Sequence, residues 1–234
     1  MQALILVGGL GTRLRSVVKD RPKPMALVEN KPFLEYLIRK LKSNGISDII
    51  LATGYMSEFI ENYFKDGSEF GVNIVYSKET TQLGTAGAIK NAEEYLKEEF
   101  FVLNGDTYFD VDFEAAYKFH KNNKSYFTMI LRETSDASRY GAVECSDDNR
   151  VVSFIEKGGI SKSNYINGGI YIVKKDIFKE VEREKKVSLE TEIIPKVLGE
   201  EVIYGYKCNN YFIDIGVPED YIKFCTKVKG ESGN

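Results

Sequence analysis

The sequence predicts a three-layer α/β/α fold, with a mixed, mainly parallel central sheet, helices on both faces and a strand-rich lobe at one side. Three observations predict it. Short β-rich runs alternate with amphipathic segments through the first half of the chain. After residue 106 four strand-like runs follow one another with little helix between them. Hydrophobic residues make up 43% of 234, enough for one substantial core.

ALILV (3–7) reads as the first strand, ended by glycines. In FLEYLIRKLKSNG, the apolar residues Phe33, Leu34, Leu37, Ile38 and Leu41 follow helical spacing and Gly45 provides a stop. DIILAT, VNIVYS and FFVLNGD read as further strands, with SEFIENYF and AGAIKNAEEYLK as the helices between them. YFTMIL, GAVEC, RVVSFIE and YINGGIYIV build the lobe, with antiparallel pairing expected, and helices resume near Asp176. Residues 189–198 and 218–227 read as helices flanking the strands VIYGY and YFIDI, and KGESGN (229–234) as a flexible tail. One domain over 1–228 is expected, its halves meeting near residue 110.

Charge and cysteine usage exclude several function classes. The 32 basic and 35 acidic residues leave a formal net charge of -3, which offers no global attraction to nucleic acid or an anionic membrane, so neither is an expected partner. Any bound anion must be held locally. No apolar stretch approaches the length of a membrane span, and 3–7 is too short for a signal-peptide core, so a cytoplasmic location is expected. Cys145, Cys208 and Cys225 are odd in number and lack paired spacing, which suits reduced thiols better than disulfides or a zinc site.

Ligands of open α/β sheets gather beyond the carboxyl ends of the strands, which is where the loop after 3–7 sits. Gly8, Gly9 and Gly11 let backbone N–H groups approach a phosphate. A Walker A motif would need Gly-Lys-Ser/Thr after four spacers, and a dinucleotide fingerprint would need glycine where Leu14 stands, so the loop is neither. Arg13 follows it. Lys23 lies between Pro22 and Pro24, which favour extended backbone and aim its ammonium toward the same anion. Read singly, such residues are equally an ordinary turn with solvated charge.

Asp106 and Asp214 each end an apolar run, which would bring two carboxylates to one rim of the sheet. That pair suits Mg²⁺, which takes one or two protein carboxylates and completes its shell with phosphate and water; an aspartate in that position is also a common turn former. LGTAGA (83–88) follows a strand and opens a helix, so a flat base could lie on its backbone, although an ordinary helix start reads the same way.

Gly8-Gly9-Leu10-Gly11-Thr12-Arg13-Leu14 followed by Lys23-Pro24 resembles the GGxGTRL and KP signature of the nucleoside-diphosphate-sugar pyrophosphorylases, the sugar-1-phosphate nucleotidyltransferases. The resemblance implies a Rossmann-like three-layer α/β/α nucleotidyltransferase fold with a nucleotide-binding half over about 1–110 and a strand-rich sugar-binding lobe over about 111–228. It implies a triphosphate cradle in which Leu6, Gly8, Gly9, Gly11, Thr12, Arg13 and Lys23 meet the nucleotide, with Arg13, Lys23 and Asp106 as the catalytic residues. Leu83, Gly84, Thr85 and Gly87 would contact the base, and Asn104 and Gly105 would complete the nucleotide site. Glu79 is read as the acceptor of the guanine N1 and N2 protons.

For the sugar phosphate the resemblance points to Tyr140, Gly141, Glu156, Lys157, Asn167, Gly168 and Gly169, and for Mg²⁺ to Asp106 and Asp214. Without it, Glu156-Lys157 is an exposed strand end and NGG (167–169) a hairpin turn. DIGVPEDY (214–221) matches the family's DIGTPxDY with Val217 in place of threonine, and Tyr211-Phe212-Ile213 stands where members often carry tryptophan.

The implied reaction joins a sugar 1-phosphate to the α-phosphorus of a nucleoside triphosphate and releases pyrophosphate. The phosphate nucleophile is already ionised, so no general base is needed, and the single histidine, His120, is expected to be structural. GGLGTRL, RSVVKDRPKPM and FIDIGVPEDY look most similar to guanylyltransferases of D-glycero-α-D-manno-heptose 1-phosphate, which use GTP and supply GDP-heptose for surface glycans. Mannose 1-phosphate guanylyltransferases stand close behind, and a uridylyl- or thymidylyltransferase stays open. So does a non-catalytic nucleotide-sugar-binding regulator, against which the intact Arg13, Lys23, Asp106 and Asp214 argue. A dinucleotide-dependent oxidoreductase lacks its third glycine. The chain stops soon after the last motif, so neither a C-terminal β-helix nor an acyltransferase domain is expected; a homo-oligomer remains open.

Overall fold

The apolar run near the amino end is continuous because β1 (Gln2–Leu6) is covered on both faces. Ala3, Ile5 and Val7 enter one hydrophobic cluster and Leu4 the other. The same alternation divides β4 (Asp48–Thr53), where Ile49 and Leu51 face one way and Ile50 and Ala52 the other. Two cores on opposite faces of one sheet make the three-layer architecture. The computed structural model describes residues 1–9, 11, 14, 17–134, 139–156 and 163–232.

After β1, β2 (Leu27–Val28) and β3 (Lys31–Pro32) form a small hairpin. It leads into α1 (Phe33–Ser43), whose stripe Phe33, Leu34, Leu37, Ile38 and Leu41 is buried throughout. β4, α2 (Ser57–Phe64), β5 (Asn73–Lys78), α3 (Gly84–Asn91) and β6 (Glu99–Asn104) complete the first half. β4 and β6 flank β1, with β5 beyond β4, all in parallel. Helix α3 ends at Asn91, and only a 3-10 turn (Glu93–Tyr95) continues the segment read from sequence as one helix.

The second half contains β7 (Thr107–Phe109), α4 (Phe113–Asn122), β8 (Phe127–Glu133), β9 (Ala142–Cys145), β10 (Val151–Ile155) and β11 (Tyr165–Lys174). A π-helical turn (Leu189–Ile193) runs into α5 (Ile194–Glu200), followed by β12 (Ile203–Lys207), β13 (Phe212–Asp214) and α6 (Pro218–Ser232). The main sheet has the order β10-β9-β11-β6-β1-β4-β5, with β8 on β11 and β12 on β8. β11 runs antiparallel to β6, β8 and β9, so it joins the parallel half to the lobe.

YINGGIYIV forms a strand as expected, and NGG at 167–169 lies inside it rather than making the hairpin turn of its plainer reading: the register against β8 shifts between Asn167 and Tyr171 and Gly169 has φ +69°. This is a bulge, which bends a strand and redirects its side chains. The tail expected from residue 229 instead continues α6 as far as Ser232, because Val228 still packs on the core and Lys227 pairs with Glu231 one turn on.

Phe224 fixes α6 to the first half, its ring 5.1 Å from Phe33, 5.6 Å from Tyr36 and 5.4 Å from Tyr108. Phe224→Ala should cost about 3–5 kcal/mol in urea unfolding; a loss below 1 kcal/mol would show the helix to be held elsewhere. His120 is 1% exposed, with Nδ1 2.8 Å from Thr128 Oγ1. Burial pushes its pKa down to about 4, helped by Lys121 and Lys174 and opposed by Glu99. The unfolded imidazole therefore binds a proton near 6.5 that the folded one refuses, so stability is full above pH 6.5 and falls as the pH drops toward 4. The expected loss is about 3 kcal/mol, and His120→Gln should flatten that part of the stability–pH curve.

Candidate active site

β1 and β6 are in-register parallel neighbours, with Leu6 opposite Asn104, so the loops that follow them emerge side by side. Gly105 N donates to Leu6 O at 3.0 Å and ties those loops together. Between them opens a cleft of about 510 Å³. Leu6, Gly8, Gly9 and Gly11 line it with Glu79 against them, Asn104, Gly105 and Asp106 form the floor, and Gly84 and Thr85 complete the lining.

Lys23 reaches the floor from a 3-10 turn (Lys23–Met25) that follows an extended Pro22, so only the first of its proline neighbours holds the backbone extended. Its side chain is 9% exposed, with Nζ 2.5 Å from Asp106 Oδ2 and 3.8 Å from Asp214 Oδ1. Asp214 arrives because β13 pairs antiparallel with β7, which sets it opposite Thr107. Ile215 N donates to Asp106 O at 2.9 Å, and Gly216 N to Asp214 Oδ1 at 2.6 Å. One ammonium thus gathers two carboxylates from segments over a hundred positions apart. Among the described residues no cluster of three or more His, Cys, Asp or Glu side chains forms a larger metal site. Two hard oxygen donors beside an anion-sized cleft fit a magnesium ion that fills its remaining positions with phosphate and water.

Glu79 packs against the glycine loop so closely that a Cβ on Gly8 would lie 2.6 Å from its Oε1. Its Oε2 accepts the Leu83 N–H at 2.9 Å. Burial pushes the Glu79 carboxyl above its ordinary range, and that hydrogen bond opposes the shift. The start of α3 is bound to a strap at 185–189: Ala86 N and Gly87 N both donate to Val187 O, and Val187 N donates to Leu83 O. Leu83 and Gly87 are therefore packed behind the cleft wall rather than on it. Thr85 accepts the Leu189 N–H at 2.7 Å and donates to Glu190 Oε2 at 2.8 Å.

In the lobe Asn167 N donates to Gly141 O, and Glu156 lies beside Gly141, whose Cβ would be 3.7 Å from Glu156 Oε2. Gly168 lies against Phe109, while Gly169 lies against Asn104 on the cleft floor. Tyr140 stands apart in a neighbouring hollow of about 340 Å³, shared with Arg139, Tyr211 and Phe212. Thr12, Arg13 and Lys157 lie outside the described residues.

The sequence reading did not single out Gln82, Lys186, Glu190 or Gly216, all of which line the cleft. Ser188 is an N-cap whose hydroxyl accepts the Thr191 N–H, and Ser188 N donates to Glu192 Oε1, with the glutamate one position beyond its place in a capping box. That pattern reveals a helix start but not where it docks.

A family model described as nucleotidyl transferase matches residues 2–231, so the chain belongs to the nucleotidyl transferase family. The D-glycero-alpha-D-manno-heptose 1-phosphate guanylyltransferase of Campylobacter jejuni is 47% identical over 228 residues, covering 96% of this chain and 98% of that protein. Its namesake from Aneurinibacillus thermoaerophilus is 46% identical, covering 95% and 96%. Among solved structures, HddC from Yersinia pseudotuberculosis complexed with GMP-PN is similar with a TM-score of 0.86 at 37% identity, over 97% of this chain and 99% of that one. No helix among the described residues is long and apolar enough to cross a membrane.

Gly84 joins α3 to the strap: its φ is +69° and an added Cβ would lie 2.6 Å from Val187 O. Gly84→Ala should cost about 1–3 kcal/mol and weaken nucleotide binding in calorimetry. Unchanged melting and unchanged affinity would show that the strap does not hold the cleft wall.

Proposed function

We propose that the chain is a cytoplasmic guanylyltransferase that transfers GMP from GTP to D-glycero-α-D-manno-heptose 1-phosphate, releasing pyrophosphate and forming a GDP-heptose. The observation that carries this reading is the convergence of Lys23, Asp106 and Asp214 at the floor of the cleft. The heptose follows from the likeness to two heptose 1-phosphate guanylyltransferases along nearly their whole length.

A phosphate oxygen of the sugar 1-phosphate attacks the α-phosphorus of GTP, and the bond from that phosphorus to the bridging oxygen of the leaving pyrophosphate breaks in line. The nucleophile is ionised at neutral pH, so the chain needs no general base, in keeping with a His120 that is buried and neutral. Rate then comes from alignment and from positive charge near the phosphates. Lys23 supplies that charge at the cleft floor, and Arg13 of the GGxGTRL motif is assigned the same role by its motif alone. Asp106 and Asp214 are the residues that would hold Mg²⁺, which supplies Lewis-acid polarisation of the phosphate when bound.

Glu79 is suited to read guanine, since an ionised carboxylate accepts two N–H donors side by side. Burial raises its pKa, so protonation removes the acceptor at a higher pH than for an ordinary glutamate, and affinity should decline on the acid side correspondingly earlier. Asn104, Gly105, Thr85 and the glycine loop line the path of the nucleotide. Glu156, Gly141 and Asn167 are grouped on the lobe side and suit sugar hydroxyls.

The test is pyrophosphate release across four nucleoside triphosphates and a panel of sugar 1-phosphates. GTP with the heptose 1-phosphate should give the highest kcat/KM; turnover with no pair would favour a binding protein instead. Asp106→Asn or Asp214→Asn should lower kcat by a factor on the order of 10³ with the melting curve preserved, and near-normal turnover would remove the metal assignment. Glu79→Gln should reduce the preference for GTP over ATP by at least about tenfold; full preference would remove Glu79 from base recognition.

A further inference from the structure

Asp220 is a buried carboxylate outside the cleft. It lies in the first turn of α6, just beyond the strand that ends at Asp214, and its side chain is 8% exposed. Burial alone would raise its pKa, but two hydrogen bonds hold the carboxyl below its ordinary value and so keep it ionised. Arg139 Nη2 donates to Oδ2 at 2.5 Å, and Lys223 Nζ donates to Oδ1 at 3.0 Å. The two donors differ in reach: Lys223 stands one turn on in the same helix, whereas Arg139 belongs to the lobe, 81 positions away in the chain.

The lobe segment that begins at Arg139 is pinned a second time. The Tyr140 ring meets Phe212 edge-on with centroids 5.5 Å apart, and Phe212 opens β13, the strand that delivers Asp214. Gly141 makes the next contacts on the sugar side. Its carbonyl accepts the Asn167 N–H at 2.8 Å, and an added Cβ would lie 2.8 Å from the Phe154 ring and 3.7 Å from Glu156 Oε2. Consecutive residues therefore join α6 and β13 to the group formed by Gly141, Glu156 and Asn167.

We propose that Asp220 is a positioning residue that clasps Arg139 and thereby sets the segment 139–141, with the sugar-side residues it contacts, against the strand that carries Asp214. The inference rests on the guanylyltransferase reading, in which Gly141, Glu156 and Asn167 suit sugar hydroxyls and Asp214 suits the cation. Its physical basis is that a charge-assisted bond to a buried carboxylate is stronger than an exposed ion pair. Loss of a donor leaves the buried acid, rather than the 48% exposed guanidinium, short of a partner. Of the two bonds that Asp220 accepts, the one from Arg139 crosses to the lobe, while the one from Lys223 stays within α6.

That difference supplies the control. Arg139→Met keeps much of the side-chain length and removes the donor; it should raise KM for the sugar 1-phosphate by roughly three- to tenfold. Arg139 and Asp220 line the neighbouring hollow rather than the cleft, so KM for GTP should stay within about twofold. Asp220→Asn should act in the same way, and the double variant should be no worse than the more severe single one, because both remove one contact. Lys223→Met should leave both KM values near those of the unsubstituted chain. Hydrogen exchange at the Asn167 amide reads the clasp without substrate: it should quicken in Arg139→Met and not in Lys223→Met.

Equal rises in both KM values, an unchanged KM for the sugar 1-phosphate, additive effects in the double variant, or the same effects from Lys223→Met would overturn the inference. Should Asp220→Asn fail to fold, Arg139→Met decides by the KM split and by exchange. If the unsubstituted chain turned over no substrate pair, the enzymatic reading would fall, and exchange alone would decide the clasp: unaltered exchange at Asn167 in Arg139→Met would refute it.

Discussion

The Lys23 ammonium, 9% exposed between the carboxylates of Asp106 and Asp214, is the interaction on which the rest of the cleft depends. A buried ammonium left without any partner is costly, whereas the two carboxylates, 33% and 23% exposed, keep access to water. The lysine therefore depends on having an acceptor more than either acceptor depends on it. Because Lys23 follows β1, Asp106 follows β6 and Asp214 closes β13, the pairing lies at a junction of three chain segments that no local propensity brings together. The backbone bonds from Gly105 to Leu6 and from Ile215 to Asp106 hold the same junction from behind. The floor of the cleft is thus set by charge, and its walls by the packing of the two cores.

Much of this was legible in the sequence because the parallel half obeys simple periodicities. Ala3, Ile5 and Val7 alternate with Leu4, the stripe from Phe33 to Leu41 repeats at helical spacing, and both patterns are buried as expected. The glycine loop and the strand-ending Asp106 could be read for the same reason: a strand position fixes which end of the sheet a residue reaches. Asp214 was legible in the same way, as the end of an apolar run, but it reaches the floor from the separate β7–β13 pair rather than from a strand of the main sheet.

Tertiary contact decided what sequence could not show. NGG looks like a turn, yet β8 pairs on both sides of that segment and β6 with the residues that follow it, which holds it in one strand as a bulge. Gly87 looks like a base contact, yet the strap at 185–187 covers it and takes its N–H. Lys186 and Glu190 carry no local signal for the cleft, because the strap reaches it through backbone bonds to Leu83, Ala86 and Gly87. Tyr140 sits in the adjoining hollow, its ring 5.5 Å from Phe212, beside a strand whose aromatic residues replace the expected tryptophan.

The Lys23 ammonium and the carboxylates of Asp106 and Asp214 thus gather on one side of the cleft that the glycine loop and the start of α3 line. The most direct measurement of the central claim is a crystal structure of the chain with GTP and Mg²⁺. The account predicts the triphosphate between the glycine loop and Asp106, one cation shared by Asp106 and Asp214, and the Lys23 ammonium on a phosphate oxygen. A nucleotide bound outside this cleft, or the two aspartates turned away from a common cation, would contradict it.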